Sequence, residues 1–260
     1  MGSYLGAVWR CRFFWLSLVH MDLRHRYRGS VLGMGWSLLH PIAMMAILCT
    51  VFHGIFKVDV WRFAPFLLAG LAFWNYIVTS TLQGCQCFFR GEPYIRQYPA
   101  PVAIYPLRAT LGAGIHFLVA LALVLVFVWC IKGFGNLPAL LSLVPTLLLL
   151  FVFGWCLAVM AGFTNVFFQD TQHLCEVGFQ ILFYTTPVMY EASLLEGNHL
   201  AAVVKYNPLA LFLRLLREPI LDGRVPPAGT FLAAGVIVLA STAAAALTLA
   251  RLQRRLIFHL

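Results

Sequence analysis

Apolar runs of bilayer length, with most of the charge confined to the breaks between them, constrain this chain more than any other feature. Residues 31–56, 63–89, 107–131, 138–164, 171–190 and 228–250 each offer twenty or more mainly apolar residues. A helix of about twenty residues, rising about 1.5 Å per residue, crosses the roughly 30 Å hydrocarbon layer. Composition closes the soluble alternative: 62% of the 260 residues are hydrophobic and 10% charged, with a mean hydropathy of +0.86. A core of this size cannot hide that much apolar surface. The predicted fold class is an all-α polytopic membrane protein with six transmembrane helices, as a single domain over 1–260.

The breaks carry the remaining information. Residues 3–21 mix Trp9, Phe13, Phe14, Trp15 and Leu18 with Arg10, Arg12 and His20, a pattern suited to an amphipathic helix lying in the membrane interface. Arg24, Arg26 and Arg28 then cluster just before the first span, and Asp22 and Arg26 have i, i+4 spacing for a helical ion pair. Between the second and third spans, Arg90 to Pro106 is polar and proline-rich. Pro93 suits the first turn of a short helix, Glu92 suits its positive end, and Pro99 and Pro101 would stop it. After a kink expected near Pro187, residues 192–221 hold apolar runs too short to span, which predicts a re-entrant or interfacial helix pair. Eleven of the eighteen basic residues fall in 1–35, 90–108 and 251–260, so six spans with both termini in the cytoplasm satisfy the positive-inside tendency.

Other function classes find little support. The net charge of +9 sits at the ends of apolar runs and forms no groove-sized patch, so anionic lipid is a better partner than nucleic acid. Arg10 and Arg12 interrupt the N-terminal region and no small-residue cleavage site follows, which predicts a mature first helix. The seven cysteines are scattered through apolar segments, and Cys85-x-Cys87 points its thiols to different helix faces, so no metal site is expected. No Gly-x-x-x-x-Gly-Lys-[Ser/Thr] loop occurs, which leaves any ATP-driven role to a separate subunit.

Several motifs occur in a telling order. Basic-Tyr27-basic is followed by Gly29-Ser30-x-Leu32-Gly33, Trp36 and Pro41. Then come Ile95-Arg96-Gln97-Tyr98-Pro99-x-Pro101, Asn165-x-x-Phe168-x-Asp170, Thr186-Pro187-Val188-x-Tyr190 and Tyr206-Asn207-Pro208-Leu209. Over nearly its whole length the chain resembles the membrane permease of type-2 ABC exporters of polysaccharides, a group that moves O-antigens, teichoic acids and capsules. The Wzm-like O-antigen permeases are the nearest branch, with TagG and KpsM permeases related. The resemblance implies export of a lipid-linked, undecaprenyl-pyrophosphate-type polysaccharide across the bacterial inner membrane. It also implies two cytoplasmic Wzt-like ATPase subunits, which would hold the ATP and magnesium, so this chain needs no cofactor. Six spans are few to enclose a hydrated polymer, and a homodimer is the commonest way to complete such a path.

The resemblance also suggests roles for particular residues. The short helix carrying Glu92, Tyr94, Ile95, Arg96 and Tyr98 matches the coupling helix that docks the ATPase. Arg24, Arg26, Tyr27 and Arg28 lie where the family receives its lipid-pyrophosphate, and guanidinium groups suit phosphate geometry. Trp36, His40, Tyr184 and Tyr190, with Tyr98, combine a flat face with a polar edge and suit a glycan-lined path. Related readings keep the ATPase but change the cargo to teichoic acid, capsule, another lipid or a drug. An ATP-independent transporter would show mid-membrane acids or inverted repeats. An intramembrane glycosyl- or phosphotransferase would use Asp170, His173 and Glu176, which recur at i, i+3, i+6, but no nucleophile or metal set accompanies them. Asp170 more simply suits the N-cap of the helix that follows.

Overall fold

The computed structural model describes residues 2–30, 33–97, 100–133, 136–191, 204 and 206–256, and every described regular element is helical. Two helices, α1 (Gly2–Arg10) and α2 (Arg12–Tyr27), precede a 3-10 turn at Gly33–Gly35. Then come α3 (Trp36–Phe56), α4 (Val60–Cys85), α5 (Cys87–Gln97) and α6 (Ile104–Lys132). The one-turn α7 (Leu137–Leu141) leads into α8 (Leu143–Phe167), and α9 (Thr171–Thr185) follows. Beyond it, α10 (Pro208–Arg217) runs into a π-helical turn, Glu218–Asp222, before α11 (Ala228–Leu252). Among the described residues, five helical stretches are long and apolar enough to cross a membrane: Trp36–Phe56, Val60–Cys85, Ile104–Lys132, Leu137–Phe167 and Ala228–Leu252.

The bundle is built around α4. Within its apolar stretch 72% of residues are buried, against 11% for α3 and 17% for α11. Phe73 and Ile77 of α4 are fully enclosed in a core shared with α6, α8 and α10, while Leu67 is buried in a smaller cluster with Cys49 of α3 and Phe127 of α6. Small residues let α4 and α8 approach closely: a Cβ on Gly84 would lie 2.6 Å from the Ala158 backbone, and one on Gly162 would lie 2.8 Å from the Gly84 carbonyl. Such contacts substitute in lipid for the hydrophobic drive available in water. The outer faces of α3, α8 and α11 instead present large apolar side chains, including Ile47, Leu148, Val236 and Leu239.

Several boundaries differ from those the sequence suggests. The second apolar run breaks at Gln86, and α5 starts at Cys87 because Cys87 and Phe88 bury against Tyr105 and Phe163. Pro93 therefore sits in the second turn of α5, not the first. The segment expected to span over 171–190 is a helix of 15 residues ending at Thr185, with Thr186 extended as a residue before proline tends to be. Asp170 occupies the N-cap position without making a capping bond. The Gln172 amide is satisfied instead by Asn165 Oδ1, 3.2 Å away. Of the proposed re-entrant pair, α10 is described, while 192–203 lies outside the described residues.

Candidate functional site

One end of the bundle carries a platform of short helices. Tyr4 of α1 accepts a hydrogen bond from the Ala103 amide (3.3 Å), just before α6, and Trp15 Nε1 donates to the Val8 carbonyl (3.2 Å) across the α1–α2 break. Burial pushes the Tyr4 phenol up, and the backbone bonds partly offset it. Phe14 of α2 meets Tyr94 of α5 edge to face at 6.0 Å, and the Tyr94 hydroxyl lies 3.9 Å from Met21 Sδ. Tyr94 and Ile95, both half-buried, thus join α5 to its neighbours, whereas Arg96 and the partly exposed Glu92 turn outward as an i, i+4 ion pair at 2.9 Å. Tyr98 lies outside the described residues.

From this platform α2 climbs along α6. Asp22 receives a bidentate bond from Arg108, and not from Arg26 as local spacing suggested. Two turns further along α6, the Tyr27 hydroxyl meets His116 Nδ1 at 3.1 Å, with the rings edge to face at 5.7 Å. Both contacts bridge large sequence separations, which i, i+4 reasoning cannot see. Eight residues of helix rise about 12 Å, so the last turn of α2 reaches well past the start of α6. Arg24, Arg26 and Arg28 are exposed there. Arg24 and Arg28 share a concave face of about 950 Å³ with Phe13, His20 and His25. Of the four residues expected to meet an anionic headgroup, three are therefore solvent-accessible cations and Tyr27 is the anchor that fixes them.

A second concavity, of about 420 Å³, lies between α3, α4 and α9. It includes His40 and Tyr184 together with Asn75, Trp74, Glu176 and Gln180. Trp36, 53% exposed, is on α3 but outside this groove, and the Tyr190 hydroxyl donates to the Tyr184 carbonyl at 3.0 Å. The aromatic residues expected to line a path thus divide: two share the groove, one is exposed elsewhere on α3, and one props the end of α9. His173 and Glu176 approach to 3.4 Å and Gln172 donates to Glu176 at 2.8 Å, and these bonds do not include Asp170. Among the described residues no cluster could hold a metal ion.

At the opposite end of α9, sequence reasoning missed the most constrained side chain. Arg217, not singled out from the sequence, is 8% exposed. Its guanidinium donates to the carbonyls of Pro187 (2.6 Å), Val188 (2.6 Å) and Phe66 (2.9 Å), and its carbon lies 3.6 Å from the Phe66 ring centroid. Gly70 leaves the space: a Cβ there would overlap the guanidinium. Asn207 caps Leu209 with Oδ1 and donates from Nδ2 to Thr186 Oγ1 at 2.8 Å. The Thr186-Pro187-Val188 and Asn207-Pro208 motifs, far apart in sequence, are therefore two halves of one joint between α9, α10 and α4.

Comparison with known proteins follows the same outline. The family model for the ABC-2 type transporter matches residues 14–221. The O-antigen export system permease protein RfbA of Klebsiella pneumoniae is 26% identical over 211 residues, covering 79% of each chain. A second protein of that name and organism matches to the same extent. The O-antigen export system permease protein RfbA of Myxococcus xanthus is 25% identical over 233 residues, covering 88% of each chain.

Proposed function

Because the chain belongs to the ABC-2 type transporter family, we propose that it is the multi-pass permease of an ATP-driven exporter of an O-antigen-type polysaccharide. The cargo is carried to the outer side of a bacterial inner membrane on a polyprenyl-pyrophosphate lipid. The relatives named as O-antigen export permeases support the cargo class. ATP and magnesium belong to two copies of a separate Wzt-like ATPase, and a second copy of this chain completes the path. Both termini face the cytoplasm, α9 with the turn after it makes the sixth crossing, α1–α2 forms the interface helix, and 192–221 forms the re-entrant pair.

The observation that carries this reading is the platform at one end of the bundle. Helix α5 is fixed through Tyr94 to α2, and α2 is fixed through Asp22 and Tyr27 to α6. The outward face bearing Glu92 and Arg96 is therefore the natural seat for an ATPase, because a push on α5 reaches the basic turn of α2 through rigid contacts. That turn presents Arg24, Arg26 and Arg28 to a pyrophosphate at the inner mouth. Co-expression with a P-loop ATPase in a strain making the polysaccharide tests the reading. Deleting the chain should strip polysaccharide from the cell surface and leave lipid-linked polymer inside. Unchanged surface polysaccharide would contradict it.

A further inference from the structure

At the junction of α4, α8 and α9, two thiols distant in sequence meet. Asn165 of α8 donates to the Cys85 carbonyl at the end of α4 (2.9 Å) and accepts from the Gln172 amide at the start of α9 (3.2 Å). The Gln86 side chain also bonds that of Gln172, so the two helix ends are held side by side. Cys175 follows Gln172 by three residues and shares the face of α9 turned toward α4. There its thiol and that of Cys85 share a hydrogen bond.

The pair is asymmetric: Cys85 is fully buried, whereas Cys175 is partly exposed. Cys87 is committed elsewhere, because a Cβ on Gly162 of α8 would lie 3.1 Å from its sulfur. Among the described residues no third ligand joins the pair to make a metal site. An accessible thiol beside a buried resolving thiol is the arrangement of a redox-sensing pair. The helices they belong to differ in how firmly they are held. The apolar stretch of α4 is 72% buried, whereas Thr171 is the one buried residue of α9. An element with few buried contacts is among the first to move, so a covalent bond to α4 would restrain α9 most.

We propose that Cys85 and Cys175 are a redox switch, oxidised by a peroxide to a disulfide that pins α9 to α4. The Cys175 sulfur attacks one oxygen of hydrogen peroxide, and the departing hydroxide takes up the thiol proton as water, leaving a sulfenic acid. The Cys85 sulfur then attacks that sulfur, and its proton leaves with the hydroxyl as a second water. In the proposed topology the junction faces the cytoplasm, where disulfides are transient and report oxidation. Resting on the export reading, the pinned transporter stops until a thiol reductant frees α9. The test treats the complex of permease and ATPase, in lipid nanodiscs with lipid-linked polysaccharide, with hydrogen peroxide and then dithiothreitol. In the unreduced digest, mass spectrometry should find the Cys85 peptide joined to the Cys175 peptide. Amide hydrogen exchange over Thr171–Thr185 should slow, hydrolysis should lose its response to the glycan, and dithiothreitol should reverse each change. Cys175→Ser should form no link and keep its response in peroxide, while Cys130→Ser, at an exposed thiol of α6, should behave as wild type. Cys175 ending as a sulfinic acid with no linked peptide, or a linked peptide with exchange and hydrolysis unchanged, would overturn the switch. A reduced wild-type complex that ignores the glycan would remove the export reading alone, and the linked peptide with slowed exchange would still decide for or against the pinned α9.

Discussion

At the scale of residues, Arg217 is the side chain on which most neighbours depend. It serves three backbone carbonyls, of which those of Pro187 and Val188 lie in buried bonds beyond the end of α9, and each such group costs about 1–3 kcal/mol when orphaned. Arg217→Met should therefore lower the thermal midpoint of the detergent-solubilised protein by an amount equivalent to about 2–5 kcal/mol, with Arg217→Lys intermediate because a single ammonium lacks the planar fork that spreads donors over two nitrogens. Gly70→Ala should act in the same direction by crowding the guanidinium, while Leu239→Ala on the exposed face of α11 should change little. Equal midpoints for all four would remove the joint as a structural element. Sequence alone disclosed Arg217 as a charge but not its burial, because its partners are carbonyls contributed by α4 and the 187–188 turn, and carbonyls leave no mark in a sequence. Asp22 was misassigned for a related reason: its partner is 86 residues away at Arg108, and local spacing offers only the nearer arginine.

At the scale of elements, stability and coupling separate cleanly. The exposed Glu92–Arg96 pair is worth about 0.3–0.5 kcal/mol to α5, so Glu92→Ala/Arg96→Ala should leave melting and membrane insertion unchanged, yet weaken co-purification of the ATPase. A wild-type yield of complex would take the docking face off α5. The Asp22–Arg108 pair is more structural, because the Arg108 side chain is 11% exposed while Asp22 remains half open. Reversing either charge alone should free α2 to limited proteolysis, and Asp22→Arg with Arg108→Asp should restore protection. The long spans were legible because continuous apolar sequence has one cheap solution in lipid. The start of α5 was not, because Cys87 and Phe88 extend an apolar run whether they face lipid or protein. The length of α9 was hidden likewise, since 186–190 stays apolar while Pro187 ends the helix.

At the scale of the whole molecule, the five long helices alone would leave the chain ends on opposite sides of the membrane, and α9 decides the matter. Its 15 residues span about 22 Å, and in the proposed topology the extended turn after it would supply the rest of a crossing. Reporter fusions should then place residue 260 and the α5 region in the cytoplasm and the α6–α7 connection outside. Residue 260 outside would leave α9 as a hairpin arm. The arrangement as a whole links an outward-facing α5, a basic turn of α2 and a polar groove beside α9, so ATP hydrolysed by a partner should respond to cargo held by this chain. The direct measurement is the ATPase rate of the purified complex with and without lipid-linked polysaccharide, for wild type and Glu92→Ala/Arg96→Ala. The account predicts stimulation by the glycan in the wild type and loss of that response in the variant. A stable complex whose hydrolysis ignores the glycan, or failure to assemble with any ATPase, would contradict it.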